Sequence, residues 1–175
     1  MDTFDLDDLE DLFDDLSHDG PTKEQMFKMY GIFLNDISKN PLIINGKAVK
    51  YNSNPSTHPI CRGKAKAFEH IITRESKIAG KRNFDVERAN KIHWIRPIIE
   101  NVADFRIKYF EKVNDEGYNQ QFYWYEDKGF IIIIREINPD LLLITSFSVG
   151  FENQRNYKRD FQNFTSEQKK TSLRK

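Results

Sequence analysis

Phe122-Tyr123-Trp124-Tyr125, Glu126-Asp127-Lys128-Gly129 and Phe130-Ile131-Ile132-Ile133-Ile134 form the stretch on which the fold class turns. Two runs of aromatic and β-branched residues flank a polar turn that ends in glycine, which is the pattern of two paired strands. Upstream, Phe105, Ile107 and Tyr109 alternate with Arg106 and Lys108, a period of two that predicts a further strand. Downstream, Asn138-Pro139-Asp140 separates the isoleucine run from a fourth apolar stretch, Leu141 to Val149. Together these predict a four-stranded antiparallel meander.

Everything before the meander reads differently. Thr22 precedes Gln25 by three residues, a capping-box spacing. A helix is expected to follow, burying Met26, Phe27, Tyr30, Phe33, Leu34 and Ile37 until Asn40-Pro41 stops it. Asn45-Gly46 between Leu42–Ile44 and Ala48–Tyr51 predicts a small hairpin. Lys64 to Thr73 predicts a helix with Phe68, Ile71 and Ile72 on one face, and Glu75 to Arg82 a loop. Asp85 caps another helix carrying Val86, Ala89, Ile92 and Ile95, with a kink or break expected near Arg96 because Pro97 follows. Helices first and a sheet after them define an α+β protein.

Charge divides the chain further. Residues 1–20 hold eight Asp and one Glu with no Lys or Arg, so the segment carries 0 − 9 = −9. The remaining residues have 27 Lys+Arg against 27 − 9 = 18 acids, or +9, although the formal net charge of the whole is zero. Leu6, Leu9, Leu12, Phe13 and Leu16 recur at helical spacing among the Asp residues, which predicts an acidic amphipathic helix over 1–20. Its adjacent carboxylates repel one another, so its apolar stripe has to dock on something. The organisation expected is an acidic helix (1–20), a helix plus hairpin (21–61), an α+β domain (62–150) and a basic polar tail (151–175). The tail has seven Lys+Arg against three acids, a local +4.

A basic body implies a polyanionic partner. Cys61 is the single cysteine, so an intrachain disulfide is excluded. The acidic start does not resemble a secretory signal, and Ile131 to Ile134 is far too short to cross a membrane. A cytoplasmic location is therefore expected. Four His and one Cys show no metal-ligand spacing, so neither a metal nor a cofactor is expected.

His70 lies roughly opposite the apolar face of its helix, where an exposed imidazole can move a proton or be simply a surface residue. Arg88 and Arg96 are eight residues apart, about 80° around an ideal helix, and can share a groove. Guanidinium groups there could bind phosphate, although a solvated face is the simpler account. Thr145 and Ser146 interrupt an apolar strand, where a hydroxyl can bind a phosphate oxygen.

Phe68-Glu69-His70-Ile71-Ile72, the block from Arg88 to Asn101, and Leu141-Leu142-Leu143-Ile144-Thr145 resemble the phage-associated nuclease-like domains grouped with barnase, EndoU, the colicin tRNase domains and RelE-like toxins. The match covers about half the chain, and the Arg88–Asn101 block is its most specific part. Ser146-Phe147 stands where such domains commonly carry Ala-Tyr. The resemblance implies metal-independent cleavage of RNA, tRNA being one candidate, in a bacterial host cell. In that chemistry a 2′-hydroxyl attacks the adjacent phosphate. His70 would act as acid or base, Arg88 and Arg96 would stabilise charge, and Thr145 would position the phosphate. Arg62, Lys64, Arg82, Lys91 and Ser146 would complete the RNA contacts. The alternative is a non-catalytic interaction protein that uses its acidic segment on a host defence protein. A third possibility is that the acidic helix folds over the basic groove in cis and holds an enzyme inactive.

Overall fold

A computed structural model of the protein describes residues 5–174. Its centre is the predicted meander: β5 (Ile107–Val113), β6 (Asn119–Tyr125), β7 (Phe130–Glu136) and β8 (Leu141–Ser148). Each pairs antiparallel with the next. The sheet is larger than the meander, however. The Asn45-Gly46 hairpin, β1 (Ile43–Ile44) and β2 (Lys47–Lys50), is fused to its edge. Val49 and Lys50 pair in parallel with Leu141 and Leu142, making a mixed six-stranded sheet of order β1-β2-β8-β7-β6-β5. The physical reason is that β8 would otherwise be an edge strand, and pairing with β2 satisfies its outer backbone groups.

The helical half follows the capping signals. The Thr22 hydroxyl accepts from the Gln25 amide and the Gln25 side chain returns the bond to Thr22 N, starting α1 (Lys23–Phe33), which continues as one wider π turn to Lys39. Its buried face is largely the predicted one, with Phe33 and Ile37 buried and Met26, Tyr30 and Leu34 partly buried against the core. Met29, Phe33 and Ile37 are enclosed, whereas Phe27 is 83% exposed. The apolar residues of α1 cover more than half its circumference, so periodicity alone could not tell that Met29 and not Phe27 would be enclosed. Then come α2 (Lys66–Ile72), a short hairpin of β3 (Thr73–Glu75) and β4 (Arg82–Phe84) where a loop was expected, and α3 (Val86–Asn90), capped by Asp85. The helical break falls at Lys91, with a single 3-10 turn to Trp94, and not at Arg96. Pro97 lies in the first turn of α4 (Ile95–Glu100), where a missing N–H breaks no helical bond.

The acidic segment departs most from expectation. Among the described residues it forms no α-helix. A single 3-10 turn at Leu6–Asp8 leads into an extended strap. Aspartate is a poor helix former and its neighbours repel, while the body offers better partners. The Leu12 amide donates to the Asn90 carbonyl and the Phe13 amide to the Asn90 side chain, both at 3.0 Å. The Trp94 indole donates to the Glu10 carbonyl at 2.9 Å. Leu6 and Leu9, each 1% exposed, enter the same core as Phe33, Phe68 and Leu143.

The tail is also a structural layer. Residues Phe151–Ser172 form α5, which lays Tyr157, Phe161 and Phe164 over Phe110, Phe122, Trp124 and Ile131 on the sheet face away from α1–α4. Both faces of β7 are thereby covered, which is why its isoleucines run without polar interruption. Among the described residues no helix is long and apolar enough to cross a membrane.

Candidate functional site

The end of α2 gathers three of the four expected catalytic residues. The register of β8 slips between Ile133 and Ile134, leaving Ile144 as the extra residue of a bulge. Bulges re-aim side chains. Here the Thr145 hydroxyl turns to donate to the His70 carbonyl at 3.2 Å. Arg88 donates to the Thr73 carbonyl at 2.9 Å and lies 3.5 Å from the His70 carbonyl. Arg82 reaches the same point from β4, donating to the Thr73 hydroxyl at 2.8 Å and to its carbonyl at 3.0 Å. These polar groups therefore meet at the backbone of His70 and Thr73, where α2 ends and its carbonyls need donors.

The His70 ring itself is half-buried. Burial pushes its pKa down, Arg82 pushes it further, and Glu69 opposes both. Burial and Arg82 thus favour the uncharged imidazole.

A cleft of about 880 Å³ lies between the 57–60 loop, α2 and the β3–β4 hairpin; Lys66 and Glu69 of α2 line it and His70 does not. Its cations are Lys66, Arg74, Lys81 and Arg82, and His58 and His18 face it as well. Its floor is Glu69, only 2% exposed. The Ser56 hydroxyl donates to Glu69 at 2.5 Å, the Lys66 ammonium at 2.9 Å, and Arg82 stands 4.0 Å away. Burial alone would raise the pKa of this carboxyl, but Ser56 and Lys66 outweigh it and hold it below its usual range. The His58 ring is committed: Nε2 donates to the Arg82 carbonyl at 2.9 Å, and Nδ1 accepts from the Ile60 amide at 3.3 Å. Sequence reasoning found Arg82 but missed Lys66 and Glu69. Lys66, Glu69, His70 and Thr73 share helical spacing, the one available signal.

Other expected residues lie elsewhere. Arg96 points away from His70 and donates to the carbonyls of Asp36 and Asn40 at 2.7 and 2.6 Å, pairing also with Glu100. The chain turn at Lys91 breaks the continuous helix that would have put Arg88 and Arg96 in one groove. Arg96→Ala should lower stability by about 1–3 kcal/mol, the scale of charged hydrogen bonds to carbonyls. Denaturant titration reads this, and RNA affinity should not change. Ser146 is fully enclosed, so it cannot touch RNA. The bulge flips the strand alternation and turns it inward. Lys91 pairs with Asp11 at 3.4 Å, Lys64 lies 5.3 Å over the Tyr30 ring, and Arg62 is exposed outside the cleft.

The acidic strap does not cover the cleft. Asp7 pairs with Arg106 and Asp11 with Lys91, and only its last residues, His18 and Asp19, reach the cleft wall. The comparisons were made with family models, with curated proteins and with solved structures, and none matches this chain.

Proposed function

We propose that this protein is a metal-independent endoribonuclease of the kind found in phage and prophage toxins. In this reading Lys66, Arg74 and Lys81 hold the RNA backbone, and Arg82, bonded to Thr73, adds positive charge to the cleft wall. His70 takes the proton from a 2′-hydroxyl as it attacks the adjacent phosphorus; the P–O5′ bond breaks, the departing 5′-oxygen takes a proton from water, and the other product carries a 2′,3′-cyclic phosphate. One observation carries the reading: a half-buried imidazole whose uncharged form is favoured by burial and by Arg82, on the same helical face as Lys66, which lines a basic cleft. A neutral imidazole is competent as a general base at physiological pH.

Purified protein should cleave RNA in EDTA, and His70→Ala should lower the rate by about 10²–10⁴-fold, the usual worth of a positioned general base. Gel analysis of labelled RNA checks this. An unchanged rate in the variant removes His70 from the mechanism. Because Arg74 and Lys81 are exposed, Arg74→Ala with Lys81→Ala should weaken RNA binding without a loss of stability.

A second reading, a non-catalytic binding protein, is favoured by one feature. Arg88, Arg96 and Thr145 all direct their polar groups to backbone carbonyls, which leaves His70 as the lone expected chemical group. Saturable RNA or protein binding with no cleavage in the unmodified chain would select this reading.

A further inference from the structure

A half-exposed face of α1 lines a second groove, which shares only Asp19 and Ile60 with the cleft. Phe27, Tyr30, Gly31 and Leu34 follow the i, i+3, i+4, i+7 spacing of a helix stripe, and all four line an open groove of about 730 Å³. Phe27 at its head is 83% exposed. Lys23, Lys39 and Lys64 rim the groove against a single lining carboxylate, Asp19.

Two details have no evident use among the described residues. A glycine inside a helix costs about 0.5–1 kcal/mol relative to alanine. A Cβ at Gly31 would meet no atom within 4 Å, so nothing in the described residues requires the glycine. A flat spot in mid-stripe does allow a second backbone to approach closely. Lys23 stands in the first turn of α1, where the helix dipole disfavours a cation. An approaching carboxylate would offset that.

We infer that this groove is a docking site for an acidic amphipathic helix of another protein. Apolar residues of the partner would seat between Phe27 and Leu34 over Gly31, and its carboxylates would meet the three lysines. A second copy of this chain fits poorly, because two copies would set lysine rim against lysine rim.

The test uses the full chain and a fluorescein-labelled peptide of about 18 residues, long enough to form a helix. The peptide carries Leu or Phe at i, i+3, i+4 and i+7 and Glu between them, and binding is read by anisotropy. Saturable binding is expected. Phe27→Ala should weaken it by at least about tenfold, the scale of an aromatic anchor. Gly31→Leu should do the same by filling the flat spot, and as a better helix former it should leave the fold intact. A peptide with Lys in place of each Glu should bind at least about tenfold more weakly. The inference is overturned by absence of saturable binding, by equal binding of the lysine peptide, or by indifference to both substitutions. Sedimentation showing a dimer that Phe27→Ala dissociates would also overturn it, in favour of a second copy.

Discussion

Replacing Leu9 by alanine should lower the unfolding free energy by about 2–5 kcal/mol, the range for a fully buried leucine. Leu9 is 1% exposed, and Leu6, equally buried, joins the same core. The strap that carries them is tied down by Asn90, Trp94 and Lys128, and by ion pairs from Asp7 and Asp11. In a domain of this size each kcal/mol moves the melting temperature by about 2–4 °C. The variant should therefore melt roughly ten degrees lower by calorimetry. Substitutions at the exposed Asp8 or Asp14 should stay within about 0.5 kcal/mol, since neither makes a buried contact. A Leu9→Ala protein with unchanged melting would show that the strap is not docked in solution. The same reasoning changes the expectation for removing residues 1–20. Truncation strips part of the core and should yield an unstable chain, not an unmasked enzyme.

Acid should loosen the same region through His93. This imidazole is 3% exposed, and burial depresses its pKa from 6.5 to about 4. A hydrogen bond with the Glu10 backbone and the charge of Asp11 oppose the shift, while Lys28 and Lys91 assist it. Between those two pH values the unfolded chain binds more protons than the folded one, so stability falls as pH falls. The full loss is about 3 kcal/mol, complete once pH drops below the folded value. His70, also depressed, titrates in the same direction, so the unmodified chain alone cannot isolate the effect. His93→Gln, which cannot titrate, should flatten the slope of unfolding free energy between pH 6.5 and 4.5, measured by urea titration. Equal slopes in the two proteins would remove His93 as the source. Glu69 acts at lower pH. Its folded pKa lies below the usual value of 4.5, so its contribution is present above that value and is lost as pH falls through the folded one.

Of the expected site, the part legible in sequence was the part set by local spacing. His70 falls off the apolar face of its helix, and Asp85 caps the helix that carries Arg88. What could not be read was where each polar group finds a partner. Arg88, Arg96 and Thr145 look like phosphate ligands as residue types, yet each meets a backbone carbonyl. Any helix end inside a protein needs such donors, and sequence does not say which helix ends nearby. Lys66 and Glu69 went unnoticed because a charged pair at helical spacing reads as a solvated face until a loop encloses it.

The acidic segment marks the same division. From sequence alone it was certain that residues 1–20 carry −9 and that their leucines must be buried somewhere. The alternating apolar and turn patterns likewise determined the α+β class and the strands of the meander, because period and turn chemistry are local properties. Only the tertiary structure decided that the described part of the segment, from Asp5, is an extended strap and not a helix, that it docks in cis, and that the tail covers the second face of the sheet. Those outcomes depend on which surfaces are left open once the sheet has formed. Asn90 and Trp94 offered the strap's backbone better hydrogen bonds than its own helix could, against the repulsion of its carboxylates.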